Sequence, residues 1–326
     1  MPELNVSGRV QMKQNRAIDT ERLKRITQTI INLPTLPTVV AKMIELIDDP
    51  KSSARSLSRI IRTDQVLTAR ILRLANSAYY GFPNPISSIN LAIVVLGFET
   101  IRNLGLSVAV ISRLARASSD EELLDYTRFW EHSAAVAVAS RMLARMHGFR
   151  AIESEAFVAG LIHDIGKVIL SQYQTANYSK CLQIVSGENV SLATAEDRVF
   201  GVTHAEVGGW LAGRWNLPDG LAEAIRLHHI PLAARVRPEL TAIVHFADII
   251  VRAAKVGSGG DPLVPSFYRG VLHSLPLQVD ENDKVDIQFY LEEFRQEMDQ
   301  VDSFINIVLG RLPKAEPDST EEVMTA

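Results

Sequence analysis

The sequence predicts an all-α protein, built as two helical lobes followed by a C-terminal amphipathic helix. Three observations predict it. Apolar residues recur three and four apart along most of the chain, while strictly alternating β-branched runs are scarce. A composition of 47% hydrophobic and 22% charged residues is that of a globular protein. Finally, 326 residues exceed the ~100–200 of one domain, and a polar joint, Ala117-Ser118-Ser119-Asp120, separates two helical halves.

The elements follow from local chemistry. Residues 1–21 have little apolar content and read as a flexible N-terminus. Arg22–Ile31 is a short amphipathic helix, broken by Leu33-Pro34-Thr35-Leu36-Pro37. Val39–Ile47 follows and stops at Asp48-Asp49-Pro50. Asp64 caps a helix reaching Ala75, with Leu67, Ile71 and Leu74 on one face. Tyr80-Gly81-Phe82-Pro83-Asn84-Pro85 is a loop. Ile89–Leu96 and Glu99–Arg113 complete the first lobe, residues 22–117. The second lobe, 118–256, carries helices near 126–146, 153–173, 178–186, 192–200, 205–215, 221–228 and 241–254. Gly257-Ser258-Gly259-Gly260-Asp261-Pro262 reads as a flexible linker. It opens a segment, 257–312, whose long helix has a heptad seam: Ile287, Leu291, Phe294, Met298, Val301, Ile305 and Val308. The favoured expectation is a helix docked on the body, and the alternative is a homodimer through 287–308. Residues 313–326 form a disordered acidic tail.

Charge and cysteine narrow the function classes. The formal net charge is −4, with 34 basic and 38 acidic residues. Residues 280–326 hold thirteen acids and four bases, a net −9, so the rest of the chain is at +5. No whole-chain nucleic-acid signal results. One cysteine, Cys181, excludes a disulfide framework and a cysteine-rich zinc site. No apolar run approaches ~18 residues, and the N-terminus has no apolar signal core. The expectation is a cytoplasmic protein without membrane insertion.

The chemistry concentrates in a histidine and aspartate series. His163 and Asp164 are adjacent in Gly160-Leu161-Ile162-His163-Asp164-Ile165-Gly166-Lys167. On one helix, neighbours point about 100° apart and can flank a single ion. His132, His204, His228, His229 and Asp248 fall on other predicted helices. A lone helical histidine is usually a core or surface residue, but this ordered series offers enough ligands for one divalent transition metal, and even for two. Imidazole with a bridging carboxylate suits Fe, Mn or Zn. Two close ions would activate water for in-line attack on a phosphoester, and Lys167, one turn after His163, would steady a phosphate oxygen. His147, His245 and His273 fall outside the series and read as core or surface residues.

A second feature is basic. Arg55, Arg59 and Arg62 are four and three apart and share a helical face. That face suits a phosphate-bearing ligand, nucleic acid or an acidic partner. The simpler expectation is a solvated surface, and the lack of interleaved aromatics argues against single-stranded nucleic acid.

His163-Asp164 with its flanking histidines resembles the HD superfamily of metal-dependent phosphohydrolases. More specifically, the chain resembles the HDOD family, the HD-related output domain of bacterial signalling. The stretches that carry the resemblance are Leu33–Pro37, Asp64–Gly81, Ile86–Ile93 with Leu96-Gly97, Phe157–Leu170, His204–Gly208, and Trp215–Pro218 followed by Ala224–His229. They occur in family order over roughly residues 22–256. The resemblance implies an HD-like helical bundle packed against a smaller helical N-terminal lobe, and a role in signal transduction, often beside response regulators and cyclic-dinucleotide enzymes. Family members commonly lack part of the metal set and are regarded as non-catalytic, whereas this chain keeps every candidate ligand. The related HD-GYP phosphodiesterases place Gly-Tyr-Pro after the paired histidines. Here Ile230-Pro231-Leu232 follows, which argues against cyclic di-GMP hydrolysis.

The expected function is therefore a regulatory module that binds signalling proteins or a nucleotide ligand without turnover, retaining a metal site. The alternative is a binuclear phosphohydrolase acting on a nucleotide or cyclic dinucleotide. In that reading His132, His163, Asp164 and Asp248 hold one ion, and His204, His228 and His229, with Asp164 bridging, hold the other. A purely structural metal lies between the two readings.

Overall fold

The computed structural model describes residues 20–29, 35–46, 52–77, 80–114, 123–280, 284–298 and 306–307. Among them the chain is all-α, with one isolated antiparallel bridge between Val279 and Val285. The expected N-terminal segment up to residue 19, the joint at 117–120 and the acidic tail lie outside the described residues.

α1 (Thr20–Thr29) lies against α12 of the second lobe. The first lobe packs α2 (Thr38–Glu45), α3 (Ala54–Ile61), α4 (Gln65–Ala75) and α5 (Ile89–Leu96) around α6 (Phe98–Leu114). Its helices start where side chains satisfy free backbone N–H groups. Ser53 accepts from Ser56 N, Asp64 from Leu67 N at 2.9 Å, and Ser88 from Leu91 N. Leu57, Ile61, Leu67, Ile71 and Leu74 are buried, as the apolar spacing requires.

The second lobe comprises α7 (Tyr126–Met146), α8 (Glu153–Ile162), α9 (Ile165–Tyr173), α10 (Thr175–Glu188), α11 (Leu192–Phe200), α12 (His204–Arg214), α13 (Asp219–Leu227) and α14 (Pro238–Ala253). α7, α8 and α14 form its centre, and alanines at 134, 135, 137 and 139 let neighbouring helices approach α7 closely. α6 packs on α8 and joins the lobes. Finally, α15 (Ile287–Gln296) docks on α14 and buries Tyr290 and Phe294. Ile287 and Leu291 also face the body of the same chain. Most of the seam beyond Met298 lies outside the described residues.

Two expectations need correction. The helix expected over 153–173 is two helices, because the chain leaves the helical path at Asp164 (φ −99°, ψ 10°) and restarts there. The apolar pattern runs unbroken through the break, since both helices bury the same lobe interior, so periodicity could not reveal it. Residues 257–262 are also no flexible linker. Arg128 donates to Gly257 O (3.0 Å), Ser258 N donates to Arg128 O (2.9 Å), and Asp261 pairs with Arg252 and accepts from Leu192 N (2.8 Å). The glycines are there for close packing. Gly257 has φ +64°, and a Cβ on it would stand 2.3 Å from His132 N.

Candidate metal centre

Five positions along the second lobe supply the centre. His132 projects from α7. His163 and Asp164 occupy the α8–α9 break, with Lys167 one turn on. His204 opens α12, His228 and His229 end α13, and Asp248 lies on α14. Local chemistry fixes each. The Thr203–Glu206 capping box pins the first turn of α12, with Thr203 N donating to Glu206 Oε2 at 2.7 Å. Gly166 lets α9 lie directly on that turn, where a Cβ would come 1.9 Å from His204 O. His163 and Asp164 both face inward, as the sequence suggests, but they do so from the α8–α9 break rather than from one continuous helix.

The seven expected ligands converge. Asp164 sits at the middle: His204 Nε2 is 3.1 Å and His228 Nε2 3.7 Å from its Oδ1, and His163 Nε2 is 3.3 Å and His132 Nε2 3.8 Å from its Oδ2. His132 Nε2 lies 3.1 Å from Asp248 Oδ1, and His229 Nε2 lies 3.0 Å from His204 Nε2. Ligand atoms group as His132, His163 and Asp248, as His204, His228 and His229, and as His163, Asp164 and His228, each group within 4.8 Å. All except half-buried His229 are buried.

The outer ring nitrogens set the tautomers. His163 Nδ1 donates to Gly160 O (2.7 Å), His228 Nδ1 to Ile225 O (2.8 Å), and His204 Nδ1 to Glu196 Oε2 (2.6 Å). In each neutral ring the Nε2 lone pair therefore points at the centre, which is how metal-ligating histidines are held. Nε2 of His132, His163 and His228, with Oδ1 of Asp164 and Asp248, are buried and have no hydrogen-bond partner. Each such group costs about 1–3 kcal/mol. Lone pairs from nitrogen and carboxylate facing one another require a cation, so the donor set fits a divalent metal.

Lys167 is part of the centre but is already engaged. Its ammonium donates to Asp164 Oδ2 (2.5 Å) and to Gly259 O (2.7 Å), and it is buried. Residues 257–261 thereby close one side of the site.

The electrostatics match this picture. Burial alone would raise the Asp164 pKa, but His163 and Lys167 hold it well below the usual carboxylate value. For Asp248, burial is likewise outweighed by the neighbouring His132 and Arg252. Burial depresses His228 and His229 strongly, and neighbouring histidines add to the effect. Burial also lowers His132 against the pull of Asp248. His204 is the exception, where Glu196 and Asp164 overcome burial and raise it.

Sequence reasoning missed two supports. Glu196 on α11 is fully buried and accepts from both N and Nδ1 of His204. Nothing in Ala193-Thr194-Ala195-Glu196 signals this, because the partner lies across a turn. His245, assigned to the core, donates from Nδ1 to His228 O (2.7 Å) and so braces the α13 end. Arg55, Arg59 and Arg62 stay apart from the centre, exposed on and just after α3 in the other lobe.

The family model for the HDOD domain matches residues 33–231. The chain belongs to the HDOD-domain family. A solved HDOD domain protein of unknown function from Geobacter sulfurreducens is similar, with 28% identity, a TM-score of 0.73, and coverage of 88% of this chain and 98% of that one. A Shewanella amazonensis SB2B structure provisionally named a phosphohydrolase is 24% identical, with a TM-score of 0.66 over 89% of this chain and 98% of that one, and so shows the shared fold alone. A Treponema pallidum (strain Nichols) protein of uncharacterized function is 27% identical over 249 residues, 75% of this chain and 48% of that protein. The chain thus spans about half the length of that curated relative. The family match ends before Asp248 and before the 257–261 segment. Among the described residues no helix is long and apolar enough to cross a membrane.

Proposed function

We propose that this HDOD chain is a signalling module that holds a divalent transition metal in its second lobe and acts by binding signalling partners rather than by turnover. The observation that carries this reading is the engagement of Lys167. The one cation a hydrolase would aim at a phosphate is tied to Asp164 and to Gly259 O, inside a buried site. Catalytic metal sites keep an open position, whereas structural sites are closed by protein ligands. The imidazole and carboxylate donors suit Fe, Mn or Zn. His132, His163, Asp164 and Asp248 would hold one ion, and His204, His228 and His229 a second one across Asp164. A metal there ties α7, α9, α12, α13 and α14 together, so its binding free energy becomes stability of the lobe.

The phosphohydrolase reading keeps one specific support, the complete ligand set in two trios on either side of Asp164. It requires residues 257–261 to move and free Lys167. Elemental mass spectrometry of protein purified without chelator or polyhistidine tag separates the readings, run beside His163→Ala/Asp164→Ala. The expected result is transition metal at up to two equivalents, absent from the variant, a higher Tm with metal, and no phosphodiester cleavage. Cleavage lost in the variant would establish the hydrolase. Absence of metal even after Mn or Fe loading would leave the cluster as a network of histidines.

A further inference from the structure

A second site lies at the junction of the lobes, apart from the metal centre. A cleft of about 360 Å³ opens between α5–α6 of the first lobe and α7–α8 of the second. That volume falls in the range of small-molecule sites. Its floor is apolar, from Leu96, Leu104 and Phe157. Its charge comes from Arg141 and Arg150 against a single acid, Glu153. Arg141 Nε forms an ion pair with Glu153 Oε2 at 3.9 Å, so one acid stands beside two guanidinium groups. The same guanidinium lies over the Tyr80 ring, 5.6 Å from its centroid, within cation–π range. Arg150 is exposed at the mouth.

We propose that this cleft binds a small organic anion with a planar ring. The anionic group would lie between Arg141 and Arg150 and the ring against Tyr80 and the apolar floor. Such a ligand touches both lobes at once. Its binding would therefore fix their relative placement, giving the module a chemical input that does not pass through the metal.

The test is calorimetric titration of the full chain with AMP and with benzoate, one carrying phosphate and the other carboxylate. Adenosine and benzamide serve as their uncharged counterparts. Saturable millimolar or tighter binding of an anion is expected, weaker by about tenfold or more for its neutral counterpart. Arg141→Ala/Arg150→Ala should cost at least a similar factor, and Ser154→Trp, which fills the cleft and keeps its charge, should abolish binding. Both variants should retain wild-type metal content, so this result stands apart from the fate of the metal reading. Binding by neither anion, equal binding of the neutral counterparts, or binding untouched in both folded variants would overturn the proposal.

Discussion

The two lobes bury different kinds of polar group. Between α2 and α6 the buried polar residues are Ser58, Ser77, Asn103 and Ser107, none of them ionisable. Their needs are met locally: Ser77 donates to Leu74 O (2.7 Å), Ser107 to Asn103 O (2.9 Å), and Asn103 to Ser154 across the junction (3.1 Å). The second lobe buries His132, His163, Asp164, Lys167, Glu196, His204, Glu223, His228, His245 and Asp248. Burying charge is costly unless it is paired. Glu223 shows what pairing looks like in the same lobe, since its carboxylate accepts from the backbone N–H of Arg235, Val236 and Arg237 at 2.7–2.8 Å. Asp164 and Asp248 have no such backbone cradle: Asp164 Oδ2 accepts from the Lys167 ammonium, while Oδ1 of each carboxylate faces imidazole nitrogens. The first lobe is organised by apolar packing, and the second around a cluster of histidines and carboxylates that could hold a metal ion.

The sharpest way to break this contrast is to remove the central carboxylate. Asp164→Ala leaves the Lys167 ammonium buried with only Gly259 O, and uncompensated buried charges cost roughly 3–5 kcal/mol. Urea denaturation of metal-free protein should show a loss of that size, and added Mn or Zn should no longer raise the Tm. Asp164→Ala/Lys167→Met, which removes both charges, should recover most of the metal-free loss without restoring the metal response. If the double variant is no more stable than the single one, the Lys167 pair is not what holds this corner.

The fold was readable because the first lobe and most of the second obey simple rules. A cap at Asp64, breakers at Pro37 and Pro85, and three-and-four apolar spacing fix where helices begin and which face is buried. The cluster was legible because seven chemically distinctive residues recur in order. What stayed hidden was set by tertiary contact. The break at His163–Asp164 lies in an unbroken apolar pattern. Glu196 reaches His204 only because the turn between α11 and α12 brings the two together. A run of glycine and serine looks like a spacer, yet residues 257–261 are small so that they can lie against His132 and Lys167.

Acid should separate the lobes next. His132, His228, His229 and His245 have folded pKa values below the unfolded imidazole value, that of His245 near about 4. Below about pH 6.5 the unfolded chain takes up protons that these buried rings refuse, so stability falls as pH drops. The depressed carboxylates Asp164 and Asp248 add to the loss further down, from about pH 4 toward their folded values. His204, raised in the fold, works the other way: its contribution is complete below the unfolded value and fades as pH rises through the folded one. Glu155, also raised, works in the same direction as His204, and lowered His147 joins the other six, so two groups against seven leave a net acid lability. Metal-free protein should lose Tm steadily between pH 7 and about 4. Hydrogen exchange during that descent should open α12 and α13 before α3 and α4. A first lobe that opens first would reverse the assignment of the acid-sensitive core.

The smallest effect belongs to the basic face. Arg55, Arg59 and Arg62 are exposed and none contacts the metal centre. Replacing all three by Gln should change stability by no more than about 0.5 kcal/mol per site and leave metal content unaltered. The null result has content, because it separates the two things a charged residue does in this molecule. In the second lobe charge is buried, and its removal should be felt in folding and, on the proposed reading, in metal binding. On α3 charge is displayed to solvent, where removal should be felt only by whatever binds that surface. A stability loss of several kcal/mol in the triple variant would mean that the face is packed against another part of the chain, and the contrast between lobes would have to be redrawn.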